Sequence, residues 1–380
     1  MDFPKFHYHK ITEIFMRSGG LWPHQDTCSA RVRKLIIFLL LFISCLFQIV
    51  KLSRNYNGID SLMNILPETL IVGVSFIDFI FLFGSFKNYS NTYDIICHDW
   101  NMEHTTEELE IKKSYGRMLK NLSAVVAAYT FVIFLPLTWV DKTMALANNE
   151  TRQQVIPIIV GERLELIIII QDYLAVSIAS LFSMTNGLMV FFQILHFYGM
   201  LNVIKYRLEN LSMDRDNKNN GESRKNDQTI LRNLITCIKT HALAIELIIN
   251  VENYYKPCIL LVIGSSVLFL SLTILQALNL QGIQFKPIVF ASGQLFFLAG
   301  LCFGGQLVLD ASEEASFDVY NVQWYDFPVY IQKILFIMIH RSNTPYFFAS
   351  SKTFTLSFRV FGEIIKSVAS YFMMFKSFQK

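Results

Sequence analysis

Charge is what this chain has least of. Lys, Arg, Asp and Glu make up 17% of its 380 residues and apolar side chains 53%. A soluble domain carries roughly 25% charged residues, so an ordinary soluble fold is excluded. The net charge is only +3, and the basic residues are scattered among segments that flank apolar runs. That excludes a nucleic-acid surface. The cysteines are few and lie in apolar runs or in segments expected on the cytoplasmic side: Cys28, Cys45, Cys97, Cys237, Cys258 and Cys302. No disulfide framework is implied. There is no Walker loop, dinucleotide fingerprint, zinc-ligand spacing or nucleophile elbow, so no catalytic residue, metal or cofactor is expected. His7 and His9 read as solvated, and His196, His241 and His340 are expected to cap or pack at cytoplasmic helix ends. No internal repeat is visible.

What is present is a series of apolar runs long enough to cross a bilayer as helices, at 35–50, 62–86, 122–140, 164–197, 258–280, 287–309 and 352–378. They predict an all-α polytopic membrane protein with seven transmembrane helices. Mostly polar residues precede the first run and no small-residue cleavage site follows it, so it is expected to act as an uncleaved insertion signal. Lys and Arg number six, five, nine and three in segments 1–34, 87–121, 198–257 and 310–352, against two, three and one in 51–61, 141–163 and 281–286. Basic connections stay inside. A cytoplasmic N-terminus and an extracellular C-terminus are therefore expected. Sequons begin at Asn88, Asn121, Asn149 and Asn210; in this orientation only Asn149 lies outside, as the candidate glycosylation site.

The chain divides accordingly. Residues 1–34 form a cytoplasmic segment, 35–309 hold spans one to six, and 198–257 form a cytoplasmic connection broken by a polar, Asn-rich stretch at 212–229. Residues 310–351, aromatic and amphipathic, are expected to form a helical cytoplasmic anchor, and 352–380 the seventh helix.

That seventh run is two-sided. At ~100° per residue, Lys352, Thr355, Arg359, Glu363, Lys366, Ser370 and Ser377 share one sector, flanked by Met373 and Met374. Phe354, Phe361, Ile364, Ile365, Val368, Phe372 and Phe375 share the opposite one. Ionisable groups in a spanning helix face a bundle interior or water, so the run is expected to line a pore. A local i,i+4 charge cluster at a helix end is the alternative. Asp78, set among Phe76, Ile77, Phe79, Ile80 and Phe81, is a second intramembrane ionisable group; a functional site and a structural carboxylate are both open. Gln48, Gln171, Asp172, Gln276 and Gln294 are expected to bond between helices.

Several of these pieces resemble the insect odorant receptors, a family of seven-helix, N-inside, ligand-gated cation channels. They are Gly20-Leu21-Trp22-Pro23, the long span-four helix through His196 to Leu208, and, from Cys302 onward, Gly305-Gln306-Leu307, Asp310, Ser312, Tyr320, Trp324-Tyr325, Pro345 and Ser370-Tyr371-Phe372. Related gustatory receptors end in Thr-Tyr, five apolar residues and Gln-Phe. Here Ser370 replaces the Thr, Lys376 interrupts the apolar run and Ser377 stands where the Gln would be.

The resemblance implies four subunits around a pore lined by the last helix, with Met374 and Phe378 at a hydrophobic gate, Ser377 at the filter, and Ser370, Lys366, Glu363 and Arg359 along the same face. It also implies a small, hydrophobic, volatile ligand bound in the outer half of spans two to six. Helical phase then selects Val74, Ile77, Asp78 and Phe81 on span two, and Phe131, Phe134, Leu135 and Thr138 on span three. On span four it selects Tyr173, Val176, Ser177 and Ser180, with Gln276 on span five and Phe290 on span six.

Arg359 and Lys366 outnumber Glu363, so four copies would set a positive ring against cations. That fits what the resemblance implies, a tuning subunit working beside odorant co-receptor subunits, surrounded by lipid in the plasma membrane of olfactory neuron dendrites. A G-protein-coupled chemoreceptor needs the opposite orientation and lacks its acidic-Arg-Tyr and Asn-Pro-x-x-Tyr signatures here. A secondary transporter lacks its repeated halves.

Overall fold

The computed structural model describes residues 10–23, 25, 27–54, 59–84, 86–140, 162–216, 223–278, 285–351 and 354–378. Its helices are α1 (Lys10–Ser18), α2 (Cys28–Arg54), α3 (Ile59–Gly84), α4 (Phe86–Trp100), α5 (Thr106–Ala128), α6 (Glu162–Asp216), α7 (Ser223–Ala277), α8 (Phe285–Asn321), α9 (Val329–Ser342) and α10 (Phe358–Phe378). A π-helical turn, Tyr129–Phe134, prolongs α5, and a 3-10 turn, Trp324–Asp326, joins α8 to α9. The only strands among the described residues are two short ones, β1 (Ala349–Ser351) and β2 (Phe354–Thr355), which pair antiparallel. Six helices are long and apolar enough to cross a membrane, within 28–53, 65–84, 106–140, 170–211, 227–277 and 285–326. α10, the expected seventh span, is shorter, carries Arg359, Glu363, Lys366 and Lys376, and is not among the six.

At 55 residues each, α6 and α7 are ~80 Å long, well over twice the thickness of a hydrocarbon core. They pack against each other and against α4 and α8, with α5 on α6 and α9 on α7. The buried face of α7 runs Leu234, Cys237, Ala244, Leu247, Ile248, Val251, Tyr254 and Tyr255, the three-and-four spacing of a core stripe. It joins Phe197, Met200, Ile204 and Leu208 of α6 and Ile331 and Leu335 of α9 in the main core. The start of α5 is fixed by a reciprocal cap: Thr105 Oγ1 accepts the Glu108 N–H, and Glu108 accepts the Thr105 N–H.

Two boundaries differ from the sequence expectation. The apolar run ending near 309 continues as one helix to Asn321, because Val308, Ala311, Ser312 and Val319 keep one face buried. The seventh helix starts at Phe358 rather than 352, so Thr355 sits on β2 and not on the polar stripe; Lys352 lies outside the described residues. The reason is local. The Leu356 N–H donates to Phe348 O at 2.9 Å, prolonging the ribbon. Ser357 then caps the new helix through its carbonyl, which accepts the Phe361 N–H at 3.0 Å. Gln306 Oε1 accepts the Phe358 N–H at 3.3 Å, and Gln306 Nε2 donates to Asp310 at 2.7 Å. Beside it, Gly305 lets the Leu356 backbone lie directly on α8; a Cβ there would overlap it.

Gly305→Ala should therefore push α10 off α8 and cost about 1–3 kcal/mol. Gly264, which has open space around it, should accept Ala without loss. Thermal unfolding of the purified full chain checks both, and equal melting temperatures for the two variants would contradict the packing.

Candidate functional site

Within the bundle, α3, α5, α6, α7 and α8 line a cavity of about 580 Å³, and Phe358 of α10, itself 55% exposed, is among its lining residues. That is the size of a small-molecule pocket. Its wall on α6 is Ser180, Ser183, Met184, Gly187, Phe191 and Ile194, one continuous helical face. Phe134 of the π-turn stacks on Phe290 of α8 with centroids 5.0 Å apart, and Phe303 bridges Phe191 (6.1 Å) and Phe358 (6.2 Å). Glycine admits two of these contacts: a Cβ at Gly293 would meet the Tyr129 hydroxyl at 2.7 Å, and one at Gly187 the Phe297 ring at 2.9 Å.

Most polar groups on the wall are spoken for. Ser75 and Ser183 hydroxyls bond each other at 3.0 Å, and the Tyr255 hydroxyl donates to Asn186 at 3.2 Å. Gln294 Nε2 donates to Ser266 at 2.6 Å, and the Tyr129 hydroxyl to Val289 O at 2.6 Å. Asp78 is buried, and its Oδ1 has no hydrogen-bond partner.

Of the candidate ligand residues, the fold brings Val74, Asp78, Phe134, Ser180 and Phe290 to this wall. The others lie elsewhere. Phe131 is 44% exposed and stacks on Phe15, Tyr173 packs edge-on to Trp139, and Thr138 bonds its own helix at Leu135 O. Ile77, Phe81, Leu135 and Gln276 are partly buried and Val176 and Ser177 fully buried, all off the cavity.

On α6 the phase is right, but the wall begins at Ser180 and continues away from Tyr173. On α5 the π-turn shifts the phase, so that Leu122, Val126 and Thr130 share the wall with Phe134. Sequence reasoning missed the whole α7 wall, Tyr255, Cys258, Ile259, Val262 and Ser266, which no isolated polar residue marks. The lining also includes Phe358 on the first turn of α10, outside the residues expected.

On α10, Val360, Ile364 and Val368 are buried against the chain's own bundle, and Ser271 of α7 donates to Val368 O at 3.3 Å. Arg359, Glu363, Lys366, Ser370, Met374 and Ser377 are exposed on the side turned away from it. The Arg359–Glu363 pair, 3.5 Å apart, lies on that exposed side. Phe378 ends the helix. Asn149 lies outside the described residues.

A second polar cluster, unforeseen in the sequence, sits off the cavity wall where α4, α5, α6 and α7 meet. Lys112 of α5 and His196 of α6 lie 2.6 and 2.9 Å from Asp99 Oδ2 at the end of α4. Arg207 of α6 forks onto Glu108 at 2.7 and 2.9 Å and reaches Thr240 of α7 at 3.1 Å. His104 touches Lys112, Glu108 and the Asp99 carbonyl. His196 and His241 are thus buried within long helices rather than at their ends. The spacing of His104, Glu108 and Lys112, one helical turn apart, was the one signal available.

Burial opposes ionisation of Asp99, but His196 and Lys112 beside it hold its carboxyl well below the usual carboxylate range. Its contribution to stability is in place above about pH 4 and is lost as pH falls below that. Removing one partner strands a buried charge. Lys112→Ala should therefore cost about 3–5 kcal/mol, whereas Arg17→Ala, which breaks an exposed pair with Glu13, should cost about 0–1 kcal/mol. Denaturation of the two variants side by side checks the contrast; equal losses would contradict it.

Comparison with known proteins completes the description. A family described as "7tm Odorant receptor" matches residues 100–369. The odorant receptor coreceptors of Anopheles gambiae and Drosophila melanogaster are 22% and 21% identical over 166 and 158 residues, 42% and 41% of this chain. These matches cover 34% and 32% of those proteins, so the chain spans about a third of the length of the curated relatives it matches. The olfactory receptor OR5 of Machilis hrabei, solved with eugenol and alone, superposes with TM-scores of 0.80 and 0.78 over 97% of both chains, at 12% and 14% identity. The last likeness is one of fold. With the family match covering well over half of its length, the chain belongs to the insect odorant receptor family, multi-pass membrane receptors rather than enzymes.

Proposed function

We propose that the chain is the tuning subunit of an odorant-gated cation channel: a small hydrophobic volatile binds in the cavity, and the exposed face of α10 lines the pore beside co-receptor subunits. One observation carries this reading. Phe358, on the first turn of the helix that bears the polar stripe, lines the cavity. A ligand thus touches the base of the proposed pore helix directly, and Ser271–Val368 ties α7 to it higher up.

The ligand opens the pore by binding the open arrangement better than the closed one. Filling the cavity shifts α7 and α8, and α10 moves away from the pore axis with them. The eugenol complex of Machilis hrabei OR5 supports a compact organic occupant. Met374, Ser377 and Phe378 form the narrow end, toward the extracellular side in the orientation given by the basic connections, with the N-terminus in the cytoplasm of the olfactory dendrite.

The sign of the stripe supports the partnership. Arg359 and Lys366 against Glu363 make the face net positive, so identical copies would repel cations. Co-receptor subunits supply the cation-permissive wall, in a heterotetramer held together beyond the membrane. The similarity to two co-receptors fits a shared assembly surface.

Odorant-evoked currents should appear when the chain is co-expressed with a co-receptor and be absent when it is alone; robust cation currents from the chain alone would contradict the tuning role. In the co-expressed channel, Phe290→Trp should fill the cavity and raise half-maximal odorant concentrations at least about tenfold. Met374→Ala should raise basal current. Unchanged evoked and basal currents in both variants, with normal surface expression, would overturn the reading.

A further inference from the structure

The cavity wall holds one unfinished hydrogen bond. Asp78 is 6% exposed, lines the cavity, and leaves Oδ1 without a donor. The other group against its carboxyl is the Cys258 thiol, a weak donor. Among the described residues no Lys, Arg or His lines the cavity. The Tyr255 hydroxyl, the nearest strong donor in sequence to Cys258, is committed to Asn186.

A second intramembrane aspartate shows what a structural carboxylate looks like in this fold. Asp172 accepts the Gln48 amide at 2.8 Å, and the same Gln48 accepts from Thr69 at 3.3 Å, tying α2, α3 and α6 together. Asp78 joins no such network. An unpaired acceptor in an apolar site is costly, and a ligand that supplies the donor recovers that cost.

Resting on the reading of this cavity as the ligand site, we propose that it selects small apolar amines, the ligand nitrogen donating to the Asp78 carboxyl, which turns about its Cβ–Cγ bond to meet it, while the hydrocarbon part fills the space toward Phe134 and Phe290. A hydroxyl would satisfy the same carboxyl, but a charge-assisted bond is roughly twice as strong as a neutral one. The amine therefore outranks the alcohol of the same skeleton. The protons balance by either route. A neutral amine takes the proton of a protonated Asp78, and an ammonium ion meets the carboxylate; both end as the same ion pair.

The test uses the full chain, co-expressed with its co-receptor and reconstituted in lipid nanodiscs. Direct binding is measured for matched phenylalkylamines, phenylalkanols and alkylbenzenes of about seven to ten carbons, sizes that such a pocket accommodates. Amines should bind at least about tenfold tighter than the matched alkylbenzenes, and tighter than the alcohols. Asp78→Asn should weaken amine binding about tenfold and leave alkylbenzene binding within about twofold.

Amines no tighter than alkylbenzenes in the unmodified chain would overturn the proposal, even if the Asn variant failed to fold. Phe290→Trp separates this from the parent reading. Loss of alkylbenzene binding in that variant without any amine preference in the parent chain keeps the ligand cavity and rejects the role of Asp78. Absence of binding by all three series rejects both.

Discussion

Water does not reach the hydrocarbon core, so every polar group placed there must find a partner inside the chain or border a space that something else fills. The structure obeys this almost throughout. Gln48 meets Asp172, Gln171 donates to Ser44 at 2.7 Å, Gln294 meets Ser266, and serine and threonine hydroxyls fold back onto their own helix carbonyls. Gln171 Oε1 and Ser177 Oγ are left without partners, as is an oxygen of Asp78, and α10 carries an exposed polar stripe; both readings of function start from the last two. In those readings the stripe borders a conduit, and Asp78 lines the cavity.

The join between these two places is narrow and specific. Gly305 lets the chain before α10 lie on α8, and Gln306 caps the first turn of α10 while holding Asp310. Ser312 accepts the Tyr346 N–H at 2.8 Å, fixing the approach to the ribbon. The residues behind the family resemblance in this stretch thus have a mechanical meaning: they mount the stripe-bearing helix on a wall of the cavity. Far from them, the Asp99–Lys112–His196 and Glu108–Arg207 groups bind α4, α5, α6 and α7 into one body.

The sequence carried the spans, the continuation of the fourth beyond the membrane and the two-faced character of the last helix, because apolar length and helical period write these directly. It carried the cavity only in part. The π-turn at Tyr129–Phe134 is invisible to a constant period and moved the α5 wall onto Leu122, Val126 and Thr130. The α7 wall is built from ordinary core residues that become special only by facing an empty space. Asp78 stood out in both descriptions, since a lone carboxylate among phenylalanines is conspicuous in either. The start of α10 was misplaced because Lys352 and Thr355 fit the helical period, while the pairing of 349–351 with 354–355 and the side-chain cap from Gln306 are tertiary facts.

The central claim is that the outward face of α10 borders water in the assembled channel while its inward face is sealed. Single cysteines at Ser370→Cys and Ser377→Cys, compared with Ile364→Cys and Val368→Cys, test it through reaction with a charged thiol reagent applied to intact cells expressing the co-assembled channel. The account predicts fast modification at 370 and 377, faster still during odorant application, and none at 364 and 368. Inert outward positions beside reactive inward ones would contradict it.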